Sequence, residues 1–265
     1  MTDEKTILEA RLRDLAGRTW ERDVMTRTDF LTPAEQAQLE VLRRRGPAEG
    51  LPPVPCVLWG GYPEAERRAA FFLPSYLDEE TLMAMEKSDP AVTCLRAAPL
   101  QRKFGESLTH RDYLGALMNL GIERAVIGDI LADTEAGEAA IFVMTPLAGW
   151  ITEELTRIRH TTVSLKAVRP EAVHAAPRFE EKQGFCASER LDAVIALAFR
   201  LSRDKVSGLI DGGAVAVDGA VMMTGGRTLK TGSRVSVRGY GKFIYDGPAG
   251  VSRKGRLIVR LRQYC

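Results

Sequence analysis

The feature that most constrains the fold is a change of hydrophobic period within residues 190–219, RLDAVIALAFRLSRDKVSGLIDGGAVAVDG. Apolar residues first recur at helical spacing, in two runs separated by Ser202, a residue type that caps helices. The pattern then alternates around Asp218 and Gly219, a dipeptide typical of a two-residue hairpin turn. The sequence therefore predicts a pair of helices followed by a β-hairpin.

Alternation resumes after this hairpin and continues to the C-terminus. The run SRVSVRG alternates, and GRLIVRLRQY places aliphatic side chains on one face of a strand and basic side chains on the other. These are Leu257, Val259 and Leu261 on the first face and Arg260 and Arg262 on the second. Residues 188–265 are therefore predicted to form a small unit of two helices plus short β-strands that expose arginines.

Charge divides the chain at nearly the same place. Residues 186–265 carry 14 Lys and Arg against 6 Asp and Glu, a net charge of +8, whereas residues 1–185 carry 23 against 29, a net charge of −6. Together these values give the formal net charge of +2 of the whole chain. A basic module on an acidic body predicts a polyanionic partner for the C-terminal part only.

The N-terminal residues are predicted to be helical. Residues 1–50 show apolar residues at helical spacing, and Thr32 with Glu35 has the spacing of a capping box before the second helix. The turn-rich run GPAEGLPPVP, residues 46–55, cannot continue a helix and indicates a boundary.

The middle of the chain alternates strand-like and helical runs. Through residues 51–170 this alternation predicts an α/β sandwich, and one of its helices is expected in EAERRAAFFL. Residues 171–187 show little periodicity and are predicted to be a linker.

Several classes of function are not indicated. The four cysteines form no C-x-x-C pair and the three histidines are scattered, which predicts reduced thiols and no metal site. We recognise no nucleophile with a partnered base, so no catalytic residue, cofactor or small-molecule substrate is predicted. No apolar run approaches the ~18 residues of a membrane span and the first residues are too charged for a secretory signal, which predicts a cytoplasmic protein with no membrane partner.

The C-terminal unit resembles the S-four RNA-binding module, named for the small-subunit ribosomal protein in which it was defined. The matching residues are Arg190 to Asp192, Ser202, Arg203, Lys205, Leu209, Ile210, Gly213, Val215, Val217 and Gly219. One position departs from the pattern, because Asp218 stands where the module commonly has asparagine. This departure adds a negative charge beside the expected RNA surface.

Seven residues are candidates for RNA binding. Arg190, Arg203 and Lys205 are expected to project from the helix pair, and the backbone amides near Ser202 are expected to receive a phosphate. Arginine suits this role because its planar group can bind phosphate at two points, and A-form RNA offers mainly shape, phosphates and 2′-hydroxyls. Three strand residues are expected to extend the patch: Arg234, Arg238 and Lys242.

Longer stretches resemble the bacterial YlmH family of S-four proteins. They are GGYPEAERRAAFFLPSYL, KFGESLTHRDYLGALMNLGIERAVIGDIL and VRGYGKF, and the similarity runs from about residue 30 to the end. The resemblance implies an α+β multi-domain protein in which an RNA-recognition-motif-like α/β domain precedes the S-four module. It also implies binding to ribosomal RNA of the large ribosomal subunit, with tRNA as a second partner, in ribosome-associated quality control.

Other residues of the middle segment have ordinary structural explanations. Thr109 and Asp112 are expected to cap a helix, because a threonine followed by an acidic first turn is common helix chemistry. The aromatic residues Phe71, Phe72 and Phe104 are expected in the core. No role is assigned to His110, Arg102, Lys103 or Arg111.

Two alternatives to a non-enzymatic factor stay open. The first is an RNA-modifying enzyme of the pseudouridine synthase or methyltransferase type with an S-four targeting domain, since an RLD triplet supplies a catalytic aspartate in some pseudouridine synthases. Here the triplet leads directly into a helix, so Asp192 is expected to favour the helix N-terminus or to pair with a neighbouring arginine. The second is an adaptor that links the ribosome to division or membrane proteins through its acidic half.

Overall fold

The chain folds into two compact units. The structure, a computed structural model, describes residues 2–101, 106–172, 179–252 and 255–264. The units comprise residues 1–176 and 177–265. Both contain helices and antiparallel sheets, so the protein has a mixed α/β, multi-domain fold, as predicted. Among the described residues, no helix is both long enough and apolar enough to cross a membrane.

The first unit begins with a three-stranded antiparallel sheet that packs against helices. Its elements are α1 (Thr2–Arg22), β1 (Thr26–Leu31), α2 (Pro33–Arg44), α3 (Gly46–Glu49), β2 (Cys56–Trp59) and β3 (Arg68–Phe72), with strand order β1-β3-β2. The predicted capping box begins α2. The Glu35 carboxylate accepts a hydrogen bond from the Thr32 amide at 2.6 Å, and the Thr32 hydroxyl accepts one from the Glu35 amide at 3.3 Å.

Two predictions for this region are wrong. Residues 1–50 are not all helical, because β1 lies within them and pairs with β3, so the predicted boundary near residue 50 falls inside one folded layer. EAERRAAFFL does not form the predicted helix, because its residues Arg68–Phe72 are β3 and the last four of them are buried. A short continuous apolar run fits a strand with both faces covered, and periodicity alone does not distinguish such a strand from a buried helix.

A five-stranded antiparallel sheet follows in the same unit. Its elements are α4 (Glu79–Ser88), β4 (Val92–Pro99), α5 (His110–Asn119), β5 (Ile127–Asp133), β6 (Glu138–Met144), α6 (Thr145–Glu154), β7 (Arg157–Ile158) and β8 (Thr161–Val168), with strand order β5-β6-β4-β8-β7. One face packs against α5 and α6 through Tyr113 and Ile151. The other packs against β3 and α4 through Phe71 and Leu82. The centre of this sheet is therefore buried on both faces.

The second unit is a six-stranded antiparallel sheet with two helices on one face. Its elements are β9 (Phe179–Cys186), α7 (Leu191–Phe199), α8 (Arg203–Asp211), β10 (Val215–Val217), β11 (Ala220–Val221), β12 (Arg234–Val237), β13 (Gly241–Val251) and β14 (Leu257–Tyr264), in the order β11-β10-β12-β13-β14-β9. The helices pack against alternate strand residues, among them Val235 and Phe243. Asp218 and Gly219 have φ angles of 49° and 83° at the turn between β10 and β11, as the predicted hairpin requires.

The linker prediction is wrong for half of its length. Strand β9 lies inside residues 171–187 and pairs with β14 along its whole length, from Phe179 to Cys186. Residues 173–178 of the predicted linker lie outside the described residues. Strand β13 was also not predicted, because Gly247 and Pro248 have the composition of a turn and instead lie at irregular positions of the β13–β14 pairing.

Candidate nucleic-acid interface

The N-terminus of α7 is closed by the loop that precedes β12. The backbone amides of Leu191 and Asp192 donate to the carbonyls of Arg227 and Gly225, at 2.8 and 3.1 Å. Amides at this position are the ones that a helix offers to an anion. Because loop carbonyls accept them here, these two amides are not open to a phosphate.

Arg190 and Asp192 form an ion pair beside this closed helix end. Arg190 donates from Nε to one carboxylate oxygen at 3.1 Å and from Nη2 to the other at 2.6 Å. These hydrogen bonds lower the pKa of Asp192, and the nearby charge of Arg203 lowers it further. The predicted pairing of Asp192 with a neighbouring arginine is therefore confirmed, and the two arginines and the aspartate form one charge cluster.

The start of α8 is the exposed end of the helix pair. The Ser202 hydroxyl accepts a hydrogen bond from the Lys205 amide at 3.3 Å, which confirms the predicted cap. Ser202, Arg203, Asp204 and Lys205 are all exposed. The helix dipole and two cationic side chains make this end positive, and Asp204 offsets part of that charge. This end has the access and the charge that phosphate binding requires.

Two of the three strand candidates lie on the sheet face opposite to the helices. Val235 and Phe243 point into the core that the helices cover. Because successive side chains of a strand point to opposite faces, Arg234 and Lys242 lie on the other face of the sheet. The predicted residues therefore form two groups: Arg190, Ser202, Arg203 and Lys205 on the helix side, and Arg234, Arg238 and Lys242 on the strands and their connecting turn.

Arg238 and Lys242 meet at a shallow depression of about 290 Å³ next to the turn between β12 and β13. Its lining also includes Ser236 of β12 and the apolar side chains of Ala216 and Val221. None of the residues that line it is acidic. The structure therefore brings two of the three strand candidates together at one concave and cationic place.

Asp218 uses its carboxylate inside the hairpin turn. One carboxylate oxygen accepts a hydrogen bond from the Arg234 amide at 2.8 Å, and the Asp218 amide donates to the Arg234 carbonyl at 2.8 Å. An asparagine side-chain oxygen could accept the same bond. The departure from the common asparagine therefore preserves the local geometry.

A cluster between β9 and β14 was not predicted from the sequence. The rings of Phe179 and Tyr264 meet edge to face with centroids 4.8 Å apart, and the Arg262 guanidinium lies 5.1 Å from the Phe179 ring centroid. Arg262 also pairs with Asp246 through two hydrogen bonds of 3.0 Å. The cluster ties β9 to the end of β14, and only recognition of β9 as a strand would have revealed it.

The middle-segment residues have the expected structural roles where they are described. The Asp112 carboxylate accepts hydrogen bonds from the amide and the hydroxyl of Thr109, at 2.8 and 2.7 Å, which confirms the predicted cap. Phe71 and Phe72 are fully buried, so their assignment to the core is also confirmed. Arg102, Lys103, Phe104 and His174 lie outside the described residues.

A polar network around Asp129 ties β5 to the segment before β3. Its carboxylate accepts hydrogen bonds from the Tyr62 hydroxyl at 2.8 Å and from the amides of Glu66 and Arg67 at 2.7 and 3.1 Å. The Arg67 guanidinium donates to the backbone carbonyls of Phe30, Arg124 and Ile127. Burial lowers the pKa of Arg67. The network joins three parts of the first unit.

The described cysteines are poor nucleophiles. Burial raises the pKa of both Cys56 and Cys94 to about 12, so their thiols are protonated at neutral pH. Cys186 is buried and its thiol donates to the Ser188 carbonyl at 3.0 Å. All three are free thiols in the structure. Within the described part of the chain, no group of three or more His, Cys, Asp or Glu residues could hold a metal ion.

Residues 95–172 match the family model described as "Putative RNA-binding domain in YlmH". They span β4 to β8, which form the sheet with the buried centre. They carry 9 Lys and Arg against 10 Asp and Glu, so clustering of basic residues does not single them out. No RNA-binding residue was predicted in this segment.

Two known proteins are similar to this chain, one over almost its whole length and the other over about two thirds of it. The ribosome-associated protein quality control protein P2 of Bacillus subtilis (strain 168) is 29% identical over 263 residues, which cover 97% of this chain and 94% of that protein. The solved structure of the cell division protein YlmH from Streptococcus pneumoniae is 24% identical, covers 64% of this chain and 93% of its own, and gives a TM-score of 0.49. The family-model match and the similarity to the Bacillus protein over almost its full length agree with the motifs found along the sequence, and the chain is similar to proteins of the YlmH family.

Proposed function

We propose that this protein is a non-enzymatic RNA-binding factor that docks on ribosomal RNA of the large ribosomal subunit, beside peptidyl-tRNA, in ribosome-associated quality control in the cytoplasm. The proposal includes an RNA-recognition-motif-like domain within residues 51–170 and an S-four module within residues 188–265. The observation that carries it is the charge of the second unit, where residues 177–265 hold 16 Lys and Arg against 8 Asp and Glu. The name of the Bacillus relative supports the ribosomal role.

In this proposal, α7 and α8 form the main RNA-binding surface, through Arg190, Arg203 and Lys205. The exposed α8 end offers backbone amides together with the cations of Arg203 and Lys205, and a phosphate there meets the dipole and the side-chain charges at once. Arg190 keeps its guanidinium beside Asp192, which orients it but also lowers its net attraction for phosphate. Phosphate and shape contacts of this kind position a protein on an A-form helix without reading its sequence.

The absence of catalysis in this proposal rests on the state of Asp192. Its carboxylate is held by two hydrogen bonds from Arg190 and one of 2.8 Å from the Ala193 amide. A carboxylate with a lowered pKa and three donors is a weak base. Its geometry is that of a helix-end partner for Arg190, as expected for a binding surface.

Residues 95–172 have a secondary role in this proposal. The centre of their sheet is covered on both faces, so any contact with RNA there uses loops and strand edges. Their net charge of −1 gives little general attraction for phosphate. The docking energy is therefore assigned to the second unit.

The test is sedimentation of cell lysate through sucrose gradients at low and raised salt. The wild-type protein is expected to travel with the large subunit, and the triple variant Arg190→Gln, Arg203→Gln, Lys205→Gln is expected to stay near the top. Removal of one phosphate-binding cation should reduce the slope of log affinity against log salt by about 1, so the slope of the triple variant should fall by about 3.

Two control variants make this result specific. Arg22→Gln, Arg44→Gln, Arg45→Gln removes the same charge from exposed residues of the first unit and should sediment like the wild type. Asp192→Asn removes the candidate catalytic carboxylate. This variant should keep or increase association with the large subunit, because the RNA-binding surface loses a negative charge. If both triple variants lost association with the large subunit equally, net charge alone would drive that association. The proposal that α7 and α8 form the RNA-binding surface would then be abandoned.

A further inference from the structure

Tyr240 is an exposed aromatic residue at the turn between β12 and β13. The Tyr240 amide donates to the Val237 carbonyl at 3.0 Å, and the flanking Gly239 and Gly241 have φ angles of 85° and 122°. Side chains are rarely tolerated at such angles, so these glycines allow the tight turn. The Tyr240 side chain is 37% exposed. The turn therefore presents one ring to the surface on a fixed backbone.

The ring is also held from behind by other aromatic residues. Its centroid lies 6.0 Å from that of Phe199, and the Phe199 centroid lies 5.9 Å from that of the buried Phe243. A ring fixed by its neighbours loses little conformational entropy when it binds a ligand. The contact with Phe199 therefore restrains the Tyr240 ring.

Tyr240 lies on the turn that joins Arg238 to Lys242, two residues from each of them along the chain. Phe199 ends α7 and Ser202 caps α8, so two residues, and at most about 11 Å between Cα atoms, separate the aromatic neighbour of Tyr240 from the α8 cap. On its other side, Arg238, Gly239, Gly241 and Lys242 line the cationic depression. A turn that carries an exposed aromatic ring and two cations, with no acidic residue lining the depression, fits a ligand that combines a flat ring with a phosphate.

We propose that Tyr240 and the depression bind one unpaired nucleotide of the RNA, with its base stacked on the Tyr240 ring and its phosphate bound by Arg238 and Lys242. This inference rests on the proposed function, because it assumes that the second unit binds RNA. A paired base is covered by its neighbours on both sides, so only a base that has left the stack can place its face on a protein ring. The helix pair then holds the duplex while Tyr240 recognises an interruption in it.

The test uses the full-length protein and two synthetic RNAs that differ by one nucleotide. One is an uninterrupted A-form duplex, and the other is the same duplex with a single bulged adenosine; fluorescence anisotropy gives both affinities. The wild type is expected to prefer the bulged RNA by about tenfold, as expected for one stacked base. Tyr240→Ala is expected to bind both RNAs with the duplex affinity of the wild type, whereas Tyr240→Phe keeps the ring and should keep the preference.

Further variants separate stacking from folding. Tyr240→Leu keeps an apolar side chain next to Phe199 but has no aromatic face, so it should lose the preference and keep the wild-type circular dichroism spectrum. Phe185→Ala removes another exposed aromatic residue, 59% exposed on β9, and should keep the preference.

The outcomes distinguish this inference from the function on which it rests. If the wild type binds both RNAs tightly and equally, or if Tyr240→Leu keeps the preference, the stacking site is wrong while RNA binding by the second unit stands. If the wild type binds neither RNA, the proposed function fails and the inference fails with it.

Discussion

Replacing Phe243 by alanine is expected to lower the free energy of unfolding of the second unit by about 3–5 kcal/mol. Phe243 lies in β13, is fully buried, packs against Phe199 and belongs to the core that α7 and α8 share with the sheet. Removal of its ring leaves a cavity that the paired strands on either side cannot readily fill. If residues 241–251 lay outside the sheet, the expected loss would instead be below about 1 kcal/mol.

The readout for Phe243→Ala must report on the second unit alone. All three tryptophans, Trp20, Trp59 and Trp150, lie in the first unit, so tryptophan fluorescence should not change. Amide hydrogen exchange of peptides from residues 234–264, followed by mass spectrometry, should show protection reduced by the full loss of stability. Phe185→Ala is the matched control, and its exposed ring predicts a change within about 0.5 kcal/mol. Similar losses for the two variants would contradict the position of β13 in the core.

Asp129→Ala is expected to destabilise the first unit by about 3 kcal/mol. The change removes the acceptor of three hydrogen bonds and leaves the Tyr62 hydroxyl and the Glu66 and Arg67 amides without it. Each partly buried donor left unpaired costs about 1–3 kcal/mol, and water reaching the site reduces that cost. The change also removes an anion that favours the charged form of Arg67, a cation whose pKa burial has already lowered.

Tryptophan fluorescence during urea unfolding measures this loss, because the tryptophans report on the first unit. Asp129→Asn keeps the shape and one oxygen acceptor, so it should lose about half as much stability as the alanine variant. Hydrogen exchange of residues 234–264 should be the same in both variants. Equal stability of Asp129→Ala and the wild type would show that the network contributes nothing to the fold.

The elements that sequence reasoning predicted best are those with strong local signals. The Ser202 cap, the Asp218–Gly219 turn and the capping boxes at Thr32 and Thr109 each depend on a few neighbouring residues, and the structure contains all of them. Local hydrogen bonding and backbone preference fix such features whatever packs around them.

The strands that were not predicted are fixed by distant partners. Strand β9 has charged and glycine residues among its eight, and it is a strand because β14 supplies its hydrogen bonds. The sequence around β3 was interpreted as a helix, and its identity as a strand follows from its position between β1 and β2. Strand propensity depends on the neighbouring strands, so one segment considered alone carries too little information.

In the candidate site, too, features fixed by neighbouring residues were predicted, and features fixed by distant contacts were not. Clusters of Lys and Arg near one another in sequence were visible, but their distribution over two faces of the sheet depends on strand register. The pairing of Arg190 with Asp192 follows from a helix start that the sequence indicated. The contact of Tyr240 with Phe199, and the depression that its neighbours Gly239 and Gly241 line, follow only from the packed structure.

Two parts of this chain are candidates for the main RNA contact. The family description assigns RNA binding to residues 95–172, whereas charge and access favour the second unit. Cationic side chains supply most of the non-specific attraction for RNA, so a segment of net charge −1 with a buried sheet centre is expected to contribute less than a unit of net charge +8. A direct map of the RNA contacts distinguishes the two.

That map is the measurement that tests the central claim most directly. The full-length protein is mixed with purified large ribosomal subunits, cross-linked to RNA by ultraviolet light, digested, and analysed by mass spectrometry for peptides that carry a nucleotide. We expect cross-linked peptides mainly from residues 190–242, with Tyr240 among the modified residues. Cross-links confined to residues 95–172 would contradict docking through the second unit and would move the docking surface to the first.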